Sequence, residues 1–195
     1  MLQLPLAVTV LIHQRELGKP SSTGNLIKRL LPDSLQHRWN TAMPVREDQV
    51  QIPGRELWIL HPQGEPLPAS ATADSAHVLL LDGAWHEAKT MMRHTSSWGR
   101  LVSLPMQGAS RFWLRRQQGD NQFSTIEALM FLLRALGLQH AGTALQLQFE
   151  LHVYAGLRSR GSNDLAAQYL ATSPIATALA DYLEQLHTPR PLVGS

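Results

Sequence analysis

VLLLDGAWHEAK, residues 78–89, is the stretch from which the fold can be read. Val78 to Leu81 run without a polar break, the pattern of a strand buried on both faces of a parallel sheet. Trp85, Ala88, Met91 and Met92 then recur at helical spacing. The stretch therefore predicts a strand, a tight turn and a helix, with Asp82 at the carboxyl end of the strand. In open α/β sheets ligands bind at that end, in the loops ahead of the helices. Gly83 permits a sharp turn, and a carboxylate placed there either takes a proton from a ligand or caps the helix. Both readings of Asp82 stand on the residues alone.

Outward from this unit, Leu6–Ile12 is apolar and β-branched and predicts a strand, followed by His13-Gln-Arg-Glu16 in the next turn. Ser22 or Thr23 caps a helix that runs through Leu30 and stops before Pro32. Leu57–Leu60 predicts a short buried strand ending at His61-Pro62, with a loop rich in Pro, Ala and Ser from Pro62 to Ser75. After a helix over Trp85–Thr95 comes a strand at Leu101–Leu104, broken by Pro105. Ser124 and Glu127 form a capping-box pattern that opens a helix to Leu136. Residues 145–155 alternate apolar and polar like a strand, while their Leu, Gln, Glu and Ala content favours a helix. Ser173-Pro174 opens a last amphipathic helix to about residue 187. Strands alternating with helices predict an α/β fold with a mainly parallel sheet flanked by helices, in a single domain over residues 1–195.

Composition bounds the chemistry. The chain has no cysteine, which excludes disulfides, cysteine nucleophiles and cysteine-ligated metal sites. Its apolar amino-terminal run, Leu4–Ile12, lacks a basic flank and a small-residue cleavage site, and no apolar stretch reaches the 18 or so residues of a spanning helix. The expectation is a cytoplasmic protein that does not enter the membrane. Neither a Walker loop, a Gly-x-Gly-x-x-Gly fingerprint nor a Gly-x-Ser-x-Gly elbow occurs. His86-Glu87 lacks the second histidine of a zinc-protease helix, position 90 being Thr. His13 and Glu16 are an isolated pair, so a metal site is not expected.

Net charge is +2, yet the cations are mostly arginine, with lysine at 19, 28 and 89. Residues 93–116 carry Arg93, Arg100, Arg111, Arg115 and Arg116 and no acid, interleaved with Trp98, Phe112 and Trp113. Guanidinium groups mixed with aromatic rings suit an RNA backbone with unstacked bases; a solvated rim around buried tryptophans gives the same pattern. Arg93, Arg100, Arg111 and Arg116 are the RNA-binding candidates.

Blocks SRFWLRR (110–116) and FSTIEA (123–128), with HQRE (13–16), STGN (22–25), LHP (60–62) and Asp82/Trp85, resemble the DTW-domain family, named for an Asp-x-Thr-Trp signature. The resemblance runs in order from about Leu6 to about Leu157, and it tips residues 145–155 towards a helix. One position departs: Ala84 stands where the signature has threonine. The resemblance implies a SPOUT-like fold with a trefoil-knotted carboxyl half, loops 60–62, 82–85 and 108–125 gathering around a cofactor. It implies a transferase that moves the 3-amino-3-carboxypropyl group of S-adenosyl-L-methionine to ring nitrogen 3 of a uridine in tRNA, releasing methylthioadenosine. Asp82 is then the catalytic base. Leu60, Pro62, Asp82, Trp85, Ser110, Arg115, Ser124 and Thr125 line the cofactor pocket, no metal is needed, and the protein is a monomer or homodimer. Glu127 is either a capping partner or a second candidate base. A methyltransferase of the knotted superfamily and a non-catalytic RNA-binding module are the competing readings.

Overall fold

The computed structural model describes residues 2–115 and 122–187. Five strands form one sheet: β1 (Ala7–His13), β2 (Leu35–Trp39), β3 (Glu56–Pro66), β4 (Ala76–Asp82) and β5 (Arg100–Ser103). Their order is β2-β1-β4-β3-β5, and every pairing is parallel. The α/β expectation therefore holds, and the 78–81 run is apolar because β4 is the central strand, covered on both faces.

Alternation along β4 divides the core. Val78 and Leu80 face the larger apolar cluster, built with α2 (Thr23–Leu30), α4 (Thr125–Ala135) and α5 (Gln139–Ser159). Leu79 faces the other way, onto Met91 and Met92 of α3 (Trp85–Thr95). By the same parity Asp82 points to the α2 and α4 side. The predicted α3 has the observed bounds, and α4 begins one residue after Ser124.

Residues 145–155 lie within α5. Leu145, Phe149, Val153 and Leu157, four apart, are among its buried positions, and Leu147 and Leu151 pack partly buried against the same core, so a helical face accounts for most of the apolar residues of the alternation. The carboxyl-terminal helix expected as one piece is two, α7 (Ile175–Ala178) and α8 (Ala180–His187), and Leu179 between them leaves helical geometry at φ −130°. Strand β2 and helix α6 (Asn163–Ala171) had no clear signal: LQHRW is an edge strand with mixed polarity, and α6 buries only Ala166 and Tyr169.

The largest departure is β3, which does not end at His61-Pro62. Leu60 and Glu65 both pair with Val102, so residues 61–64 loop out of the sheet and the strand resumes to Pro66. Gly64 makes this possible, because a Cβ there would lie 2.6 Å from the backbone of Leu101 and Val102. The short helix α1 (Gln14–Leu17) follows β1 directly. Among the described residues no helix is long and apolar enough to cross a membrane.

Deep in the sheet, His77 is fully buried and its Nε2 lies 2.8 Å from the Thr9 hydroxyl. Burial, aided by the Arg55 charge, pushes its pKa from 6.5 down to about 4. An unfolded histidine takes up its proton near 6.5, whereas the folded one refuses it until about 4. Stability is therefore expected to fall as pH drops through that window, by up to about 3 kcal/mol. Urea midpoints at pH 7 and 4.5 check this: a Thr9→Val/His77→Leu double variant should lose much of the difference, and equal pH dependence in the two proteins would refute it.

Candidate active site

At the carboxyl ends of β3, β4 and β5 a cavity of about 860 Å³ opens between the looped-out 61–64 segment, the start of α3 and the start of α4. Its wall contains Leu60, Pro62, Asp82, Trp85, Ser110, Arg115, Ser124 and Thr125, so the residues expected to form one pocket are together. Its size lies within the range of small-ligand pockets, and its lining mixes apolar groups such as Met106 and Phe123 with hydroxyls and cations.

Asp82 is 5% exposed and accepts hydrogen bonds from four donors. Ser22 Oγ and the Gly24 amide donate to Oδ2, each at 3.2 Å; Thr23 Oγ1 at 3.2 Å and Thr125 Oγ1 at 2.6 Å donate to Oδ1. A Cβ on Gly24 would fall 2.6 Å from Oδ2, so the amide approaches because residue 24 is glycine. Burial pushes the Asp82 carboxyl up, with the buried Glu16 charge adding, against the Thr125 hydrogen bond and the Arg115 charge. Asp82 does not cap the helix that follows it. It joins the amino-terminal turns of α2 and α4 instead.

Glu127, 4% exposed, is the second hub. Its carboxylate accepts from the Ser110 hydroxyl at 2.8 Å, the Arg111 amide at 2.7 Å and both the amide and hydroxyl of Ser124 at 2.7 Å. The expected capping box is thus half formed: Glu127 reaches back to Ser124, but the serine hydroxyl donates to Glu127 rather than receiving a helix amide. Glu16 is buried as well, and Lys19 (2.6 Å) and Arg115 both donate to it. Burial raises that carboxyl, but the two cations outweigh it and hold the pKa low. Arg115 also lies over the Phe112 ring, 5.5 Å away, while a third of its side chain stays exposed at the cavity. His13 pairs with Glu87 at 3.0 Å, so the two ends of His13-Gln-Arg-Glu16 serve different partners.

The RNA candidates separate. Arg93 lies exposed on the cavity rim. Arg100 pairs with Glu56 at 3.1 Å at the opposite end of the sheet, since it aligns with Trp58 and Val78, four residues before Asp82. Arg111 turns inward, forking onto Glu150 at 2.9 and 3.2 Å, with its guanidinium 4.0 Å from the centre of the Tyr169 ring. Arg116 lies outside the described residues. Glu150 and the inward turn of Arg111 had no signal in the sequence, because their partners are 39 to 61 residues apart.

A family model described as the DTW domain matches residues 1–157. The chain belongs to the DTW-domain family. Membership fits a tRNA-modifying enzyme with tRNA as its partner. No solved structure matches the chain. In this DTW domain the signature's threonine position is the N-cap of α3: Ala84 has the extended cap conformation (φ −62°, ψ 158°), and Glu87 accepts its amide at 2.8 Å.

Ala84→Thr would supply the missing half of that capping box. It is expected to stabilise the protein by about 1 kcal/mol, raising Tm by roughly 2–4 °C. A thermal melt that is unchanged or lowered would show that residue 84 is not limited by capping.

Proposed function

We propose that this DTW-domain protein transfers the 3-amino-3-carboxypropyl group of S-adenosyl-L-methionine to ring nitrogen 3 of a uridine in tRNA, with Asp82 as the base. The observation that carries the reading is the convergence of resemblance residues from separate loops on one cavity, with a buried carboxylate against its wall. The SPOUT-like class and the trefoil knot belong to the same proposal, and the all-parallel sheet flanked by helices is compatible with them.

When bound, S-adenosyl-L-methionine supplies a transferable carbon chain activated by its sulfonium centre, and methylthioadenosine leaves. Leu60, Pro62 and the start of α4 would hold it, and Arg115 faces the cavity to meet a carboxylate or phosphate. Uridine nitrogen 3 bears a weakly acidic proton that has to be removed as nitrogen attacks carbon. Asp82 is nearly covered, but Thr125 is half-buried in the cavity wall and donates to Asp82 at 2.6 Å. In the proposed step the nitrogen proton passes to Thr125 Oγ1 while the threonine proton passes to Asp82 Oδ1. Burial favours the protonated carboxyl, which strengthens Asp82 as an acceptor.

Asp82→Asn is expected to fold, since its amide oxygen can keep the Gly24 contact while its NH₂ faces two hydroxyls free to turn. It should lose about 10²–10⁴-fold in rate. Thr125→Val should show a loss of the same order, and Thr125→Ser should restore most of the activity. Mass spectrometry of treated tRNA and of the released thioether tests the scheme: S-adenosylhomocysteine as product overturns the transferase reading, and wild-type rates in both Asp82→Asn and Thr125→Val overturn the proton route.

A further inference from the structure

Of the three described arginines expected to meet RNA, Arg93 is the one that borders the cavity, and it lies on α3 with other residues of the same kind. Trp85, Lys89 and Arg93 are four residues apart, so they line one stripe of the helix with His86 beside them. All four are exposed, Trp85 at 47%, and all four border the cavity. Among the described residues neither Lys89 nor Arg93 has a carboxylate partner. The acid of this helix, Glu87, is buried, accepts the Ala84 amide and lies 3.0 Å from His13. It also anchors Arg15, itself 70% exposed, at 3.7 Å, which carries the positive ground from α3 across to α1.

We infer that this exposed ridge of α3 is the surface on which an unpaired RNA strand lies while one of its bases enters the cavity. Lys89 and Arg93 meet phosphates, and Trp85 offers its ring to a base at the mouth. From residue 85 to 93 the helix rises about 12 Å, with Lys89 and Arg93 one turn apart along it, a span that matches a few nucleotides of one strand. The occupant is a single strand because the cavity wall holds its carboxylate 5% exposed, out of reach of a base that stays within a stack. An exposed aromatic ring among cations that have no carboxylate partner among the described residues, beside a cavity of about 860 Å³, suits a nucleotide rather than an acidic peptide. The inference deepens the transferase reading, but binding to the ridge is measurable without transfer.

The test is the binding of an unmodified tRNA transcript to the full chain, followed by fluorescence anisotropy across a salt series. A Lys89→Gln/Arg93→Gln variant, with its fold checked by circular dichroism, should bind more weakly and lower the salt slope by roughly 1.4–1.8. Trp85→Ala should weaken binding roughly 5- to 150-fold with the slope kept, as loss of a stacking surface does. Arg100→Gln, at the far end of the sheet, should leave both unchanged. Wild-type affinity and slope in the Lys89/Arg93 variant overturn the ridge, as does an equal loss in Arg100→Gln or a wild-type protein that does not bind. A wild-type protein that binds through the ridge yet transfers nothing upholds the ridge and overturns the transferase reading instead.

Discussion

A carboxylate taken out of water destabilises a fold unless hydrogen bonds replace its hydration. Asp82 meets that condition with donors from two segments distant in sequence, Ser22–Gly24 and Thr125, 58 to 60 and 43 residues away. The positions of the first turns of α2 and α4 against the central strand follow from this one group. Residue 24 has no side chain for the same reason, since any Cβ there would collide with the carboxylate. The mouth of the cavity is then set on one side, because α4 starts where Asp82 holds Thr125, and Glu127 of that helix holds Ser110 and the Arg111 amide.

Glu127, Glu16 and Glu87 repeat the device around the same end of the sheet. Glu127 ties the 110 loop to α4, Glu16 ties α1 to Arg115, and Glu87 ties the start of α3 to His13 at the end of β1. Each is buried, so removing one partner leaves a charge or a donor stranded, which costs more than an exposed pair would. Most of the blocks that resemble the family supply the two halves of these contacts. HQRE meets SRFWLRR through Glu16 and Arg115, STGN meets Asp82, and Ser110 meets Glu127. The family motifs thus describe how the rim of a cavity is fastened as much as what reacts within it.

Arginine illustrates the opposite lesson. Arg93, Arg100 and Arg111 look alike along the chain, all in an acid-free segment with aromatic neighbours. Folding gives them three surroundings: the cavity rim, a pair with Glu56 at the far end of the sheet, and an inward fork on Glu150. Charge pattern reports how much positive charge a segment holds, not which carboxylate lies opposite it, because the partners come from β3 and α5.

Local pattern by itself determined the central strand at 78–81, the turn at Gly83, the bounds of α3 and the start of α4, since burial on both faces and helical spacing are written in neighbouring residues. It also placed Asp82 at a strand end, where sites of this architecture lie. Tertiary structure decided the rest. It made β2 an edge strand despite its mixed polarity, sent β3 past Pro62 because Gly64 fits against Val102, and resolved 145–155 as part of one helix. It also decided that Asp82 serves α2 and α4 rather than capping α3. Such contacts join residues tens of positions apart, and a carboxylate in a sequence does not say which distant hydroxyl will reach it.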